Sequence, residues 1–242
     1  EHGALAKQGR GRQEQGPGGV GQTQLQKASG SFDIALWELL GPLVGGGRTV
    51  IVPPERRADS EYLVQLMERQ QVTVAHSGPR LLQALLAQPG WKKGYPQHLF
   101  CGGEPLSREL AREYQERVGG RLYSQYGPTE ATIDVTVCEY EEEPGRAFVP
   151  IGREIANTYA YVLNEQMELR PEGGVGEIYI GGEALGRGYW QNPEATAQAY
   201  VPVPWGQSGG RLNRTGELGR RLPDGRLEYV GRRDGQVKVR RY

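Results

Sequence analysis

Apolar residues are sparse in the first part of the chain and periodic from Ser29 onward. Ile34, Leu36, Trp37, Leu39, Leu40 and Leu43 have helical density and end at Gly45-Gly46-Gly47. Arg48 to Val52 then reads as a strand, stopped by Pro53-Pro54. Asp59 or Ser60 can cap a helix that carries Tyr62, Leu63, Leu66 and Met67 on one face. Val72 to His76 has the composition of a buried strand, and Pro79 opens a helix over Arg80 to Gln88. Leu99 to Cys101 is a short strand running into Gly102-Gly103. Ser107 caps a helix over Arg108 to Val118, and Arg121 to Gln125 is the next strand. Strand and helix thus alternate, the pattern of a parallel sheet flanked by helices. After Pro150 the helices cease. Thr158–Leu163, Gly176–Ile180, Arg226–Val230 and Gln236–Arg240 read as short strands of a smaller, distorted β-barrel subdomain. The fold class is therefore α/β followed by β.

Between Lys7 and Gln26 only Val20 and Leu25 are large and apolar, too little to offset the ordering entropy of the segment. The expected organisation has four parts. Residues 1–28 are an atypical Gly/Gln-rich segment, read as a disordered arm or a local reading-frame error. Residues 29–150 form the α/β subdomain, 151–233 the β-barrel subdomain, and 234–242 a hinge leading into a further subdomain.

Composition narrows the function classes. The chain has 242 residues with 29 basic and 29 acidic side chains, which argues against an extended nucleic-acid surface or a polybasic membrane anchor. No run approaches 18 apolar residues, and Glu1-His2-Gly3 does not open a secretory signal, so a cytoplasmic protein is expected. Cys101 and Cys138 form no CxxC, and with three histidines a disulfide framework or zinc site is not expected. Glycine is in excess at 37 residues, which points either to loops that approach a ligand or to a segment that cannot fold.

In open α/β sheets, ligands collect beyond the carboxyl ends of the strands. Phe100-Cys-Gly-Gly-Glu-Pro105 and Tyr126-Gly-Pro-Thr-Glu130 both fall there. Gly102 and Gly103 let a flat ring or phosphate approach the backbone, and Tyr126 offers a stacking face. Thr129 offers a hydroxyl, and Glu130 a hard oxygen for Mg²⁺. Each stretch taken singly reads as a tight turn; together, at successive strand ends, they favour a nucleotide site.

Five ordered motifs go further: FDIALWEL, YGPTEATID, GEIYIGGEALGRGYWQNPE, RLNRTGELGRRLPDG and GRRDGQVKVR. In this order and spacing, from about Gln26 to Tyr242, the chain resembles the adenylation domain of nonribosomal peptide synthetases, within the adenylate-forming superfamily. The resemblance implies an ATP- and Mg²⁺-dependent ligase. Such an enzyme forms an aminoacyl-AMP and passes the acyl group to a phosphopantetheine thiol on a carrier domain beside a condensation domain. It implies that Gly103 and Glu104 line the adenine, Tyr126 stacks on it beside Gly127, Thr129 contacts phosphate and Glu130 holds the metal. Glu217 falls where the family usually has an Asp on the ribose hydroxyls, Arg232 reaches ribose or phosphate, and Asp234 is the hinge. The implied amino-acid pocket is Asp33, Ile34, Trp37, His76, Phe100, Gly102, Gln125, Ile133 and Asp134, with Asp33 pairing to the substrate ammonium. Asp33 also reads as a helix N-cap, and Trp37 as core. His76, Gln125 and Asp134 make the pocket polar, favouring Gln, Glu or Ser. The family's phosphate loop and catalytic lysine are not in this sequence, Arg241 stands where Gly is usual, and Ser124 where Asn is common. The chain is thus read as part of an enzyme that is inactive alone. The alternatives are part of an acyl- or aryl-CoA ligase, or a non-catalytic remnant.

Overall fold

Five short runs become parallel strands of one sheet: β1 (Thr23–Gln26), β2 (Arg48–Ile51), β3 (Val74–Ser77), β4 (His98–Gly102) and β5 (Arg121–Tyr126), in the order β2-β1-β3-β4-β5. The structure is a computed structural model in which residues 2–6, 20–91, 93–205 and 209–233 are described. Asp234, the strand expected over 236–240 and most of the Gly/Gln-rich segment lie outside the described residues. Within them the chain divides into two units. One comprises described residues of Gly9–Gln125 with Cys138–Val149; the other comprises those of Glu1–Gln8, Tyr126–Val137 and Pro150–Arg241.

In the first unit, α1 (Ile34–Gly45), α2 (Ser60–Arg69), α3 (Pro79–Leu86) and α4 (Arg108–Arg117) join the strands. Asp59 caps α2 by accepting from the Tyr62 N–H at 3.0 Å, and Ser107 caps α4 through the Leu110 N–H at 3.2 Å. Side chains alternate across the sheet with period two. Leu25, Ala75, Leu99, Cys101 and Leu122 therefore share one core with apolar residues of α2, α3 and α4. The residues between them, Gln24, Gln26, His76, Phe100, Tyr123 and Gln125, are also buried. Buried parallel strands are ordinarily apolar on both faces, so a second face this polar marks a surface kept for something other than packing.

Over Thr23–Gln26, the end of the segment 1–28, β1 differs from the expectation of disorder. Thr23–Gln26 is an inner strand, paired in parallel with both β2 and β3. Leu25 alone reaches the core, while the Thr23 N–H donates to Thr73 Oγ1 at 2.8 Å and Gln26 Nε2 to the Ala28 carbonyl at 2.7 Å. Pairing and side-chain hydrogen bonds hold this strand where apolar periodicity is missing.

The second unit also differs from a division at residue 150, because Tyr126–Val137 groups with the later residues. Its antiparallel sheet runs β10 (Tyr200–Pro202), β11 (Arg211–Arg221), β9 (Gly176–Gly182) and β8 (Thr158–Leu163), with β12 (Leu227–Arg232) on β11. β6 (Thr136–Glu139) pairs β7 (Arg153–Glu154) at Thr136↔Glu154 and Val137↔Arg153, and α5 (Pro193–Ala199) precedes β10. A second core, centred on Val135, Ile151, Ile178, Ile180 and Leu227, fills this unit. Among the described residues, no helix is long and apolar enough to cross a membrane.

The β11–β12 hairpin turns at Asp224-Gly225, where Gly225 has φ +84°. Asp224 Oδ1 accepts from the Arg226 N–H at 2.9 Å and Oδ2 from the guanidinium, which lowers the Asp224 pKa from 3.8 to about 2. A depressed carboxylate stabilises the fold above its unfolded pKa, and that contribution is lost as the pH falls from 3.8 through about 2. Because the side chain is 42% exposed, the loss is under about 1 kcal/mol. Protection of the Arg226 amide, taken relative to its intrinsic exchange rate, should fall between pH 4 and pH 2 (about the window of that shift), and not in Asp224→Asn. An equal fall in both proteins would refute the assignment.

Candidate functional site

The polar face of the parallel sheet gathers four of the nine residues of the expected amino-acid pocket. His76 lies on β3, Phe100 and Gly102 on β4, and Gln125 on β5. His76 Nε2 lies 2.5 Å from Gln125 Oε1, an oxygen that only accepts, so Nε2 carries the proton. The Phe100 ring stands 5.5 Å from His76 on one side and stacks at 4.6 Å on Tyr123 on the other; Tyr123 in turn stacks at 5.9 Å on His98. Gly102 fits tightly against β5: a Cβ there would lie 3.0 Å from the Gln125 carbonyl. Gly103 follows with φ +86°, and the Glu104 carboxylate pairs Arg80 at 3.3 Å.

Asp33, Ile34 and Trp37 come from α1. Asp33 occupies the N-cap position, yet its φ and ψ are helical and its side chain makes no capping hydrogen bond. The first turn is closed instead by the Phe32 and Asp33 carbonyls, which accept from Ala35 and Leu36 at 3.1 and 3.0 Å. The half-buried Asp33 carboxylate is therefore not used for capping. Trp37 is buried, and its ring lies where a Cβ on Gly41 would approach to 2.7 Å. That glycine is a packing requirement of the tryptophan.

In the other unit, Thr129–Ala131 forms a short 3₁₀ turn after Tyr126-Gly127-Pro128. A Cβ on Gly127 would lie 2.2 Å from the Ile133 carbonyl, so only glycine permits this approach. Thr132 and Ile133 both have positive φ, +56° and +73°, and Ile133 and Asp134 are buried. Two successive left-handed residues, both β-branched, are strain of the kind concentrated at functional sites.

Glu217 is positioned by a bulge. β11 pairs β9 at Arg214↔Tyr179 and next at Leu218↔Glu177, so Thr215-Gly216-Glu217 is left out of the ladder. Bulges re-aim side chains at sites. Gly216 takes φ +70°, and its N–H donates to Glu177 Oε1 at 3.1 Å. The nearly buried Glu177 also accepts from Arg214 at 3.0 Å and Arg233 at 3.3 Å. Thr215 Oγ1 donates to the Ile178 carbonyl at 2.7 Å and accepts from the Glu217 N–H at 3.1 Å. The Glu217 carboxylate, 5% exposed as a residue, accepts from Arg232 Nη1 at 3.0 Å. Beside it lies the Tyr126 hydroxyl, which is buried and has no well-aligned hydrogen bond. Burial first, and then the Glu217 charge, hold the Tyr126 phenol well above its ordinary pKa. The tyrosine as a whole is half-buried. This arrangement offers an aromatic face, a carboxylate and a guanidinium to one ligand.

Glu130 is gripped from the segment after β9. Its carbonyl accepts from the Gly186 N–H at 2.7 Å and the Tyr200 hydroxyl at 3.2 Å, and its carboxylate accepts from the Tyr189 hydroxyl. Burial and this bond push the Tyr189 phenol up. Among the described residues, no three His, Cys, Asp or Glu side chains cluster as a metal cage. One carboxylate fits Mg²⁺ nonetheless, because that ion takes its other ligands from phosphate and water. Tyr189, Tyr200 and Glu177 were not singled out from sequence; each sits inside a quoted motif or next to one, and its role depends on contacts across dozens of residues.

The AMP-binding enzyme family model matches residues 1–190. The chain is 40% identical over 217 residues to tyrocidine synthase 3 of Brevibacillus parabrevis, covering 89% of this chain and 3% of that protein. It is 38% identical over 242 residues to phosphinothricin tripeptide synthetase PhsB of Streptomyces viridochromogenes, covering 99% of this chain and 20% of that one. The chain therefore spans only a small part of these curated relatives. Among solved structures, the Vibrio cholerae adenylation domain AlmE in complex with glycyl-adenosine-5'-phosphate has a TM-score of 0.85 at 26% identity, covering 99% of this chain and 45% of that chain. A four-domain nonribosomal peptide synthetase bound to AMP and glycine has a TM-score of 0.87 at 33% identity, covering 98% and 18%.

Proposed function

The chain belongs to the AMP-binding enzyme family, and from that premise we propose that it is the amino-acid- and nucleotide-binding part of an adenylation domain in a nonribosomal peptide synthetase. The reaction joins an amino-acid carboxylate oxygen to the α-phosphorus of ATP, breaks the bond to the β-phosphate and releases pyrophosphate. The aminoacyl group then passes to a phosphopantetheine thiol on a carrier domain, next to a condensation domain, in the cytoplasm. Catalysis of this kind is mostly positioning and charge stabilisation.

The bulge that presents Glu217 and Arg232 beside Tyr126 carries this reading. Glu217 would take the ribose hydroxyls, Tyr126 and Gly127 the adenine, and Arg232 the ribose or phosphate. Thr129 would hold phosphate. Glu130 would hold Mg²⁺, which supplies charge neutralisation at the phosphates when bound. Glu217 is one methylene longer than the usual Asp, and in the ligand-free fold Arg232 already holds one of its oxygens. ATP must share that carboxylate.

Asp33 would bind the substrate ammonium. Ile34, Trp37, His76, Phe100, Gly102 and Gln125, all of the same unit, would line the side-chain pocket. The polar side chains of His76 and Gln125 in this lining favour a polar substrate side chain such as Gln, Glu or Ser. Amino-acid-dependent exchange of pyrophosphate into ATP, measured on the protein carrying this chain, tests the reading; no exchange with any standard amino acid would refute it. Turnover of a plain fatty or aromatic acid with coenzyme A would move the assignment to a CoA ligase. Within the exchange assay, Gln125→Leu should lower kcat/KM for the preferred polar amino acid about 10- to 100-fold, the cost of a lost hydrogen bond in a buried site. It should leave the KM for ATP unchanged. An equal rise in both KM values would contradict this pocket assignment.

A further inference from the structure

The segment from Gly186 to Tyr200 is built as a strap on the Thr129–Ala131 turn, and its geometry has one consequence for the expected metal contact. Three donors converge on one residue. The Gly186 N–H and the Tyr200 hydroxyl fix the Glu130 carbonyl, and the Tyr189 hydroxyl donates to Oε1 of the Glu130 carboxylate. Tyr189 is itself anchored. Its N–H donates to Thr196 Oγ1 at 2.9 Å, and its ring meets Tyr200 edge-on at 6.3 Å. Gly188, at φ +139°, leaves space that a Cβ would fill to within 2.3 Å of the Thr196 side chain. The helix that carries Thr196 is capped by Asn192, whose Oδ1 accepts from the Ala195 N–H at 3.0 Å. Every bond in this chain lies within one unit of the fold.

A carboxylate on a single exposed turn has free χ angles, and ordering it costs entropy each time a ligand binds. Hydrogen bonds from neighbouring side chains to a ligating carboxylate remove that freedom, and losing such a partner typically costs 10- to 100-fold in metal affinity or activity. We propose that Tyr189 is a positioning residue for the Glu130 carboxylate: it fixes Oε1 and leaves the other oxygen to the divalent ion that accompanies ATP. This rests on the reading of Glu130 as the metal contact. Tyr200 serves as the internal comparison, because it bonds the carbonyl of the same residue and not the carboxylate.

The experiment is calorimetric titration of ATP into the protein carrying this chain, over a range of Mg²⁺ concentrations, with pyrophosphate exchange as a second readout. Tyr189→Phe keeps the ring and its contact with Tyr200 and removes only the donor. The Mg²⁺ concentration for half-maximal ATP affinity should rise about tenfold. ATP binding without Mg²⁺ and the amino-acid KM should both be unchanged. Glu130→Gln should shift the Mg²⁺ requirement at least as far, and adding Tyr189→Phe to it should shift it no further. Tyr200→Phe should leave it in place. If Glu130→Gln shifts the requirement and Tyr189→Phe does not, the role of Tyr189 is overturned while the reading of Glu130 stands. If Glu130→Gln shifts nothing, that reading fails and the role of Tyr189 with it. A Tyr189→Phe protein that weakens metal-free ATP binding equally also overturns the proposal, since the tyrosine would then act on the fold alone.

Discussion

Replacing Asp33 by Ala should lower kcat/KM for the amino acid by at least about 100-fold, with the KM for ATP changed less than about threefold. Truncating one side of a desolvated, hydrogen-bonded charge pair costs about 2–5 kcal/mol, and each 1.4 kcal/mol is about a factor of ten. The argument depends on the carboxylate being free to meet an ammonium. Asp33 sits at the start of α1, where an aspartate would ordinarily cap, but the turn is closed by main-chain carbonyls and the side chain makes no capping bond. Since it caps nothing, its removal should leave α1 intact, and helix content by circular dichroism should not fall. Asp33→Asn keeps the shape and loses the charge, so it should recover little activity toward amino acids. Pyrophosphate exchange with the amino acid and ATP varied separately reads both effects. A fall of less than fivefold, or equal damage to both substrates, would remove Asp33 from the ammonium site. A drop in helix content would instead restore the N-cap reading.

How much of this could be read beforehand depended on whether the cause was local. Three strands of the β-rich unit were legible because turn residues bound them: the expectation over Thr158–Leu163 matches β8 residue for residue, and those over Gly176–Ile180 and Arg226–Val230 overlap β9 and β12, whereas β11 went unread. The caps at Asp59 and Ser107 were legible because a cap acts within three residues. β1 was not, because TQLQ has a single core residue and its support comes from Thr73, β2 and β3. The polar face of the parallel sheet was half visible. His76 and Gln125 stood out through the family resemblance, whereas the Phe100–Tyr123–His98 stack needs strand register to appear. The bulge that re-aims Glu217 was hidden for the same reason: RTGE marks a motif, but the two-against-four mismatch with β9 is a property of pairing. Helix α1 was legible as density and misleading as a face, since Leu43 and Val44 remain 65% and 70% exposed while Glu38 is fully buried. The glycine excess resolves in the same way. Gly102, Gly127 and Gly188 are required by backbones or side chains that a Cβ would strike.

Glu38 carries the largest expected effect on stability. Its carboxylate accepts from the Lys27 and Ala28 N–H groups at 2.9 and 2.7 Å, tying the chain after β1 to the middle of α1. The Lys27 ammonium is buried beside it; burial lowers the Lys27 pKa, and the Glu38 charge opposes that shift. Glu38→Ala leaves two half-buried N–H donors without their acceptor, a loss of about 3–5 kcal/mol for two hydrogen bonds to a charged group at about 1.5–3 kcal/mol each. Glu38→Gln keeps an acceptor and the shape, so it should cost about 1–3 kcal/mol, the penalty for a weakened buried hydrogen bond. The two variants should also differ from the parent at alkaline pH. A lysine whose folded pKa is depressed below 10.5 releases its proton from the native state first, so stability rises with pH between that lowered value and 10.5. Removing Glu38 lowers the folded pKa further, which makes this alkaline gain larger and starts it at lower pH. Urea unfolding followed by tryptophan fluorescence, at neutral and alkaline pH, measures each step. A loss below about 1 kcal/mol in Glu38→Ala, the scale of an exposed ion pair, would mean that the carboxylate is not the tie between β1 and α1. That tie matters beyond stability, because the segment it anchors leads directly to Asp33.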